Sequence, residues 1–191
     1  MKIGIDIDDV ITETMRGYLD EINKGREKEI DFEEVNGSLF WEKVFGFSKD
    51  QVKEFLDGFF EKKAYELDLI EGAKEGLCLL DQDHDICFIT SRPIEFKEKT
   101  TEFLKKNIPG LEPKIFHSEI NVTTKEGKDK IDLCEELGID LIIEDQKRFA
   151  RTCANRGVKV ILFRRPWNDN LEGHENITRV KNWEEILEVL K

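Results

Sequence analysis

Apolar and other residues alternate along Lys2-Ile3-Gly4-Ile5-Asp6-Ile7, which puts Ile3, Ile5 and Ile7 on one side of a short predicted strand. Residues 11 to about 23 suit a helix, and the charged stretch Lys24 to Asp31 follows it. Between 32 and 47 the aromatic residues crowd together as Phe32, Phe40, Trp41, Phe45 and Phe47, broken by Gly37 and Gly46. Ser48-Lys49-Asp50-Gln51 has the spacing of a helix-starting capping box. Behind it Val52, Phe55, Leu56, Phe59 and Phe60 form one helical stripe. The stretch 14–70 thus reads as a small aromatic-rich helical lobe, with 1–13 and 71–191 left to build a core.

From residue 72 the pattern changes to helices alternating with short apolar runs. Ala73 to Leu80, Glu95 to Lys106, Lys125 to Leu137, Arg148 to Asn155 and Trp183 to Leu190 suit helices. Asp85 to Thr90, Lys114 to His117, Asp140 to Ile143 and Val158 to Phe163 suit strands. Strands separated by helices of this length predict an α/β fold: a Rossmann-like parallel sheet covered on both faces. Active sites in such sheets lie outside the carboxyl ends of the strands.

Candidate chemistry collects at those ends. Asp6, Asp8 and Asp9 close the first strand, and Glu144-Asp145 follow the run Leu141-Ile142-Ile143. Grouped carboxylates repel one another and cost desolvation unless a cation sits among them. A solvated acidic loop is the plain alternative in a chain of net charge -12. Acids at two strand ends favour a divalent-metal site. Thr90 and Ser91 after the strand ending Phe88-Ile89 offer hydroxyls and amides to an anion, or form an ordinary turn. Lys125 at a helix start opposes the helix dipole unless an anion lies near it; a surface lysine is the alternative, and Lys128 competes for the same role.

Charge and composition narrow the partners. A pI near 4.9 disfavours a nucleic-acid polymer, which wants a basic footprint. It leaves room for a small phosphate ester, because a local Mg²⁺ outweighs distant surface charge. No apolar run approaches 18 residues and no signal-like segment precedes the first strand, so no membrane partner and a cytoplasmic location are expected. Cys78, Cys87, Cys134 and Cys153 lack close paired spacing and read as buried free thiols.

Together these residues resemble the haloacid dehalogenase-like superfamily. Asp6-Ile7-Asp8-Asp9-Val10 resembles its first motif, Phe88-Ile89-Thr90-Ser91 its second, Lys125 its third and Leu141-Ile142-Ile143-Glu144-Asp145 its fourth. Asp9 departs from the glycine common at that place. The Asp-x-Asp-Asp start, the helical insert after the first strand and Arg92-Pro93 look most like the 5'(3')-deoxyribonucleotidase branch and its bacterial nucleotidase-like members. Ile143 to Ala150 and Leu162-Phe163-Arg164-Arg165-Pro166-Trp167-Asn168 add to that likeness.

The resemblance implies roles. Asp6 is the expected nucleophile and Asp8 the acid and base for leaving group and water. Mg²⁺ is expected on Asp6, the main-chain carbonyl of Asp8 and the Asp145 carboxylate, with Glu144 able to exchange roles with Asp145. Thr90, the Ser91 amide and Lys125 are expected to hold phosphoryl oxygens. The insert resembles a helical cap, in which Trp41 is a candidate base contact and Arg92 a candidate sugar or phosphate contact. Aromatics at helical spacing are more often core, and the plain reading of Asp9 is a helix cap. The expected activity is a Mg²⁺-dependent phosphomonoesterase acting on a nucleoside monophosphate. A phosphatase for another small metabolite, such as a sugar phosphate, and a non-catalytic binding protein are the alternatives.

Overall fold

The computed structural model describes residues 1–36, 40–118 and 128–191. In chain order the elements are β1 (Lys2–Ile5), α1 (Thr14–Ile22), α2 (Phe40–Lys43), α3 (Lys49–Lys62), α4 (Ala73–Asp83) and β2 (Asp85–Thr90). There follow α5 (Lys97–Asn107), β3 (Ile115–His117), α6 (Lys130–Leu137), β4 (Leu141–Glu144), α7 (Lys147–Asn155), β5 (Lys159–Phe163), β6 (Ile177–Val180) and α8 (Trp183–Val189). The strands form one sheet in the order β3-β2-β1-β4-β5-β6, and every pairing is parallel.

Strand periodicity divides the core. Ile86 and Phe88, Leu141 and Ile143, and Ile161 and Phe163 enter one apolar cluster with residues of α4, α5 and α8. Their neighbours Cys87 and Ile89, Ile142, and Val160 and Leu162 enter a second with residues of α6 and α7. Side chains alternate across a strand, so a sheet buried on both faces needs apolar residues at consecutive positions. Gly4 fits this tightly: a Cβ there would stand 2.9 Å from Ile89 Cδ1. The expected parallel α/β sheet is therefore present, with one addition. Strand β6 at the sheet edge was not marked by its sequence, because only Val180 of its four residues is buried.

The inserted segment leaves the core near Thr12 and returns near Leu69. Its two legs are tied where Glu13 N donates to Asp68 O at 3.1 Å and Ile70 N to Ile11 O at 2.8 Å. Within it Met15, Tyr18, Phe45, Phe59 and Phe60 gather in a third cluster, against which Phe40, Trp41 and Phe55 pack. The capping box at Ser48 forms as expected: Ser48 Oγ accepts from Gln51 N, and Gln51 Oε1 accepts from Ser48 N. Among the described residues no helix is long and apolar enough to cross a membrane.

Candidate active site

The sheet order reverses between β1 and β4, since β2 and β3 lie on one side and β5 and β6 on the other. At such a switch point the loops after the two strands diverge and leave a crevice. Asp6 and Asp8 follow β1 there, and Glu144 and Asp145 stand at the end of β4. Asp6 N donates to Ile143 O at 3.0 Å, which carries the strand pairing one step into the site.

Asp6, Glu144 and Asp145 bring carboxylate oxygens within 4.8 Å of one another, and all three residues are buried. Lys130 lies among them. Its Nζ is 2.7 Å from Asp6 Oδ2 and donates to Glu144 Oε2 at 2.9 Å. Burial would lower the lysine's pKa, but Asp6 and then Glu144 raise it, so it stays charged. Burial, then the neighbouring Glu144, pushes Asp6 up to about 8 against the pull of Lys130. The same two causes push Asp145 well above the usual carboxylate range.

The adjacent acids divide their work. Glu144 is fully engaged: Oε1 accepts from the main-chain N–H groups of Asp145 and Gln146, and Oε2 from Lys130. Asp145 Oδ2 accepts from Trp167 Nε1 at 2.7 Å, whereas its buried Oδ1 has no hydrogen-bond partner among the described residues. An unpaired carboxylate oxygen inside a protein is costly. Beside two further buried carboxylates it suits a hard cation that takes oxygen ligands, such as Mg²⁺. The cluster is of the kind that holds Mg²⁺ in haloacid dehalogenase-like enzymes.

Asp8 faces a different way. Arg92 Nε donates to Asp8 Oδ2 at 3.0 Å and Nη2 to Oδ1 at 2.8 Å, while Thr14 Oγ1 donates to Oδ1 at 2.7 Å. Burial acts to raise the Asp8 carboxyl, but the charge and hydrogen bonds of Arg92, with Thr14, outweigh it and hold the carboxyl low. The carboxylate of Asp8 is not grouped with the other three. Arg92, a candidate substrate contact in the sequence, is 1% exposed and spends its guanidinium on Asp8 while also lining the adjoining cavity.

Asp9 adopts φ 58, a conformation ordinarily left to glycine. Two contacts hold it there. Asp9 Oδ1 accepts from Met15 N at 3.0 Å in the first turn of α1, and Arg165 donates to Asp9 O through Nε and Nη2. The aspartate side chain thus satisfies one free N–H in the first turn of α1, whose cap residue Glu13 makes no side-chain cap bond.

Thr90 ends β2 fully buried, and its Oγ1 accepts from Arg92 N at 3.1 Å. Ser91 is exposed beside it, with Oγ 3.0 Å from Ser118 Oγ. Lys125 lies outside the described residues. Lys128 pairs with Glu136 at the surface. Lys130 carries no sequence expectation, because the apolar pattern extends the helix back to 125 and masks the start signal, whereas α6 begins at Lys130. Asp129 caps α6, accepting from Lys130 N, and Asp132 accepts from Asp129 N. That Asp-x-x-Asp spacing was the available clue.

A cavity of about 820 Å³ adjoins Asp8, Asp9 and Asp145. Asp8, Asp145 and Ser91 line it, as do the aromatic residues Tyr18, Trp41 and Phe60. A second cavity, about 500 Å³, lies against the other side of α1, and its lining carries acids such as Asp20, Asp31 and Glu66 against the single cation Arg16, which disfavours an anionic ligand.

The family described as "5' nucleotidase, deoxy (Pyrimidine), cytosolic type C protein" matches residues 1–191. YqfW of Bacillus subtilis, whose name gives nucleotidase as an unproven assignment, is 28% identical over 98% of this chain and 92% of its own length. A protein of Clostridium acetobutylicum named as a nucleotidase is 27% identical over 97% of this chain and 91% of its own. In architecture the chain is similar to a haloacid dehalogenase-like hydrolase of Streptococcus pneumoniae, with TM-score 0.69 and 15% identity over 100% of this chain and 98% of the other.

Proposed function

This chain belongs to the 5' nucleotidase, deoxy (pyrimidine), cytosolic type C family within the haloacid dehalogenase-like hydrolases, and on that premise we propose that it is a Mg²⁺-dependent phosphomonoesterase for nucleoside monophosphates. The observation that carries the reading is the buried Asp145 Oδ1, without a hydrogen-bond partner among the described residues and grouped with Asp6 and Glu144 at the sheet's switch point.

Asp6, Asp145 and the main-chain carbonyl of Asp8 would hold Mg²⁺, which would supply the positive charge that lets a phosphate dianion approach a carboxylate. An oxygen of Asp6 attacks phosphorus, the ester P–O bond breaks, and its electron pair leaves on the alcohol oxygen, which takes a proton from Asp8. Water then attacks the phosphorus of the aspartyl-phosphate, gives its proton to Asp8 and releases inorganic phosphate, restoring Asp6. In the geometry described, Asp8 is held in its ionised form by Arg92 and Thr14. Acid work therefore requires protonation of Asp8 and exchange of Arg92 for the leaving oxygen. Lys130 takes the part expected of Lys125, holding Asp6 in place and offsetting charge as phosphoryl transfer proceeds. Thr90 and Ser91 at the end of β2 hold the phosphoryl oxygens.

Residues 14–70 serve as a cap over this site and select the leaving group. The aromatic side of the cavity supports a base-bearing substrate: Trp41 stands 5.4 Å from Tyr18 between ring centroids, and both line the cavity. Such a surface accepts the π-face of a base. Phosphate release from a panel of ribo- and deoxyribonucleoside monophosphates and sugar phosphates, with and without EDTA, tests the proposal. Mg²⁺-dependent turnover of nucleotides is expected; turnover of sugar phosphates alone would discard the substrate class.

A further inference from the structure

Trp167 lies well away in sequence from every acid in the site, yet it touches both Asp145 and the inserted lobe. It follows β5 in a short turn, Pro166–Asn168, that is anchored on both sides. Asn168 Nδ2 donates to Asp145 O at 2.6 Å and to Phe163 O at 2.8 Å, and Arg165 N donates to Asn168 Oδ1. The turn is therefore fixed to the ends of both β4 and β5. From it the indole Nε1 donates to Asp145 Oδ2 at 2.7 Å, and the ring, 7% exposed, packs into the apolar cluster of the lobe. Phe32 of the lobe meets that ring edge-on, with centroids 5.6 Å apart.

Packing alone explains a buried aromatic but not the nitrogen's position. Nε1 engages one oxygen of the Asp145 carboxylate and leaves the other, Oδ1, buried without a partner among the described residues. A planar carboxylate held at one oxygen has its other oxygen's direction set. Partners of this kind fix a metal ligand's orientation and tune affinity.

We infer that Trp167 is a positioning residue that orients Asp145 toward a divalent cation and couples that orientation to the inserted lobe through Phe32. The inference rests on the metal reading proposed above. Because coupling of this kind is reciprocal, a shift of the lobe that moves the indole also changes cation affinity.

Calorimetric titration of Mg²⁺ into the substrate-free full-length chain tests this without reference to turnover. Trp167→Phe keeps a ring and removes the N–H; it should raise the Mg²⁺ Kd about ten-fold or more. Phe32→Ala should raise it a few-fold, and the double variant should bind no more weakly than Trp167→Phe alone, since both act through one contact. A folded Trp167→Phe protein with a Kd within about two-fold of wild type would overturn the positioning role. Full additivity of the two substitutions would overturn the coupling. Should Trp167→Phe fail to fold, an unchanged Kd in Phe32→Ala overturns the coupling by itself. Absence of Mg²⁺ binding by the unsubstituted chain is a separate result, and it would remove the metal reading before any variant is compared.

Discussion

Replacing Lys130 with methionine removes the cation shared by Asp6 and Glu144 while keeping most of the side chain's volume. The lysine side chain is 0% exposed, and those of its partners are 3% and 0% exposed, so water cannot take over the solvation of the acids. Breaking a buried ion pair from one side typically costs about 3–5 kcal/mol, because it leaves an uncompensated charge. For a domain of this size each kcal/mol moves Tm by about 2–4 °C, so a fall of roughly 6–20 °C is expected. The assay is thermal unfolding followed by circular dichroism in EDTA. The deficit should be larger at pH 9 than at pH 6, because Asp6, pushed up to about 8, adds its charge across that interval. Added Mg²⁺ should recover part of the loss by supplying another cation to the same oxygens. A Tm within about 2 °C of wild type in EDTA at both pH values would refute the reasoning.

The wild-type chain without metal should itself depend on pH. Asp6 has a folded pKa of about 8 against 3.8 for the ordinary group, so its stabilising contribution is complete below about pH 3.8 and is lost as pH rises through 8. Urea denaturation in EDTA should show stability falling from pH 5 to pH 9, and saturating Mg²⁺ should flatten that slope; equal slopes would count against the shared site. Asp9→Gly relieves the φ 58 strain, about 1–2 kcal/mol, but loses the bond from Met15 N, worth about 0.5–2 kcal/mol, so urea denaturation should show a change within about 1.5 kcal/mol. Trp41→Ala should lower kcat/KM for nucleoside monophosphates about 5- to 160-fold, in line with roughly 1–3 kcal/mol of base stacking, and should affect a ring-free phosphate ester less. Equal losses on both substrates would assign Trp41 to the lobe core, where it also contacts Phe45 and Phe55.

Much of this arrangement was legible because it follows from local rules. Consecutive apolar positions such as Ile86, Cys87, Phe88 and Ile89 marked a strand buried on both faces, and the sheet topology then put Asp6 and Asp145 together at its switch point. The lobe was legible from its aromatic stripe and the Ser48 capping box. What stayed hidden depended on long-range contacts. Lys130 follows an acidic cap that resembles any other polar turn, and only the fold brings it to Asp6. Arg92 turns inward to Asp8, 84 positions away, and no local pattern distinguishes that from an exposed arginine. Trp167 showed its aromaticity in the sequence but not the direction of its N–H. Strand β6 has one buried side chain and borrows its order from β5.

The central claim is that Asp6 accepts the phosphoryl group, and trapping with beryllofluoride tests it most directly. With Mg²⁺ and BeF₃⁻ the wild-type chain should give bound ¹⁹F NMR signals that Asp6→Asn, folded to the same melting profile, does not give. The same bound signals in Asp6→Asn, or none in the wild type, would contradict the account.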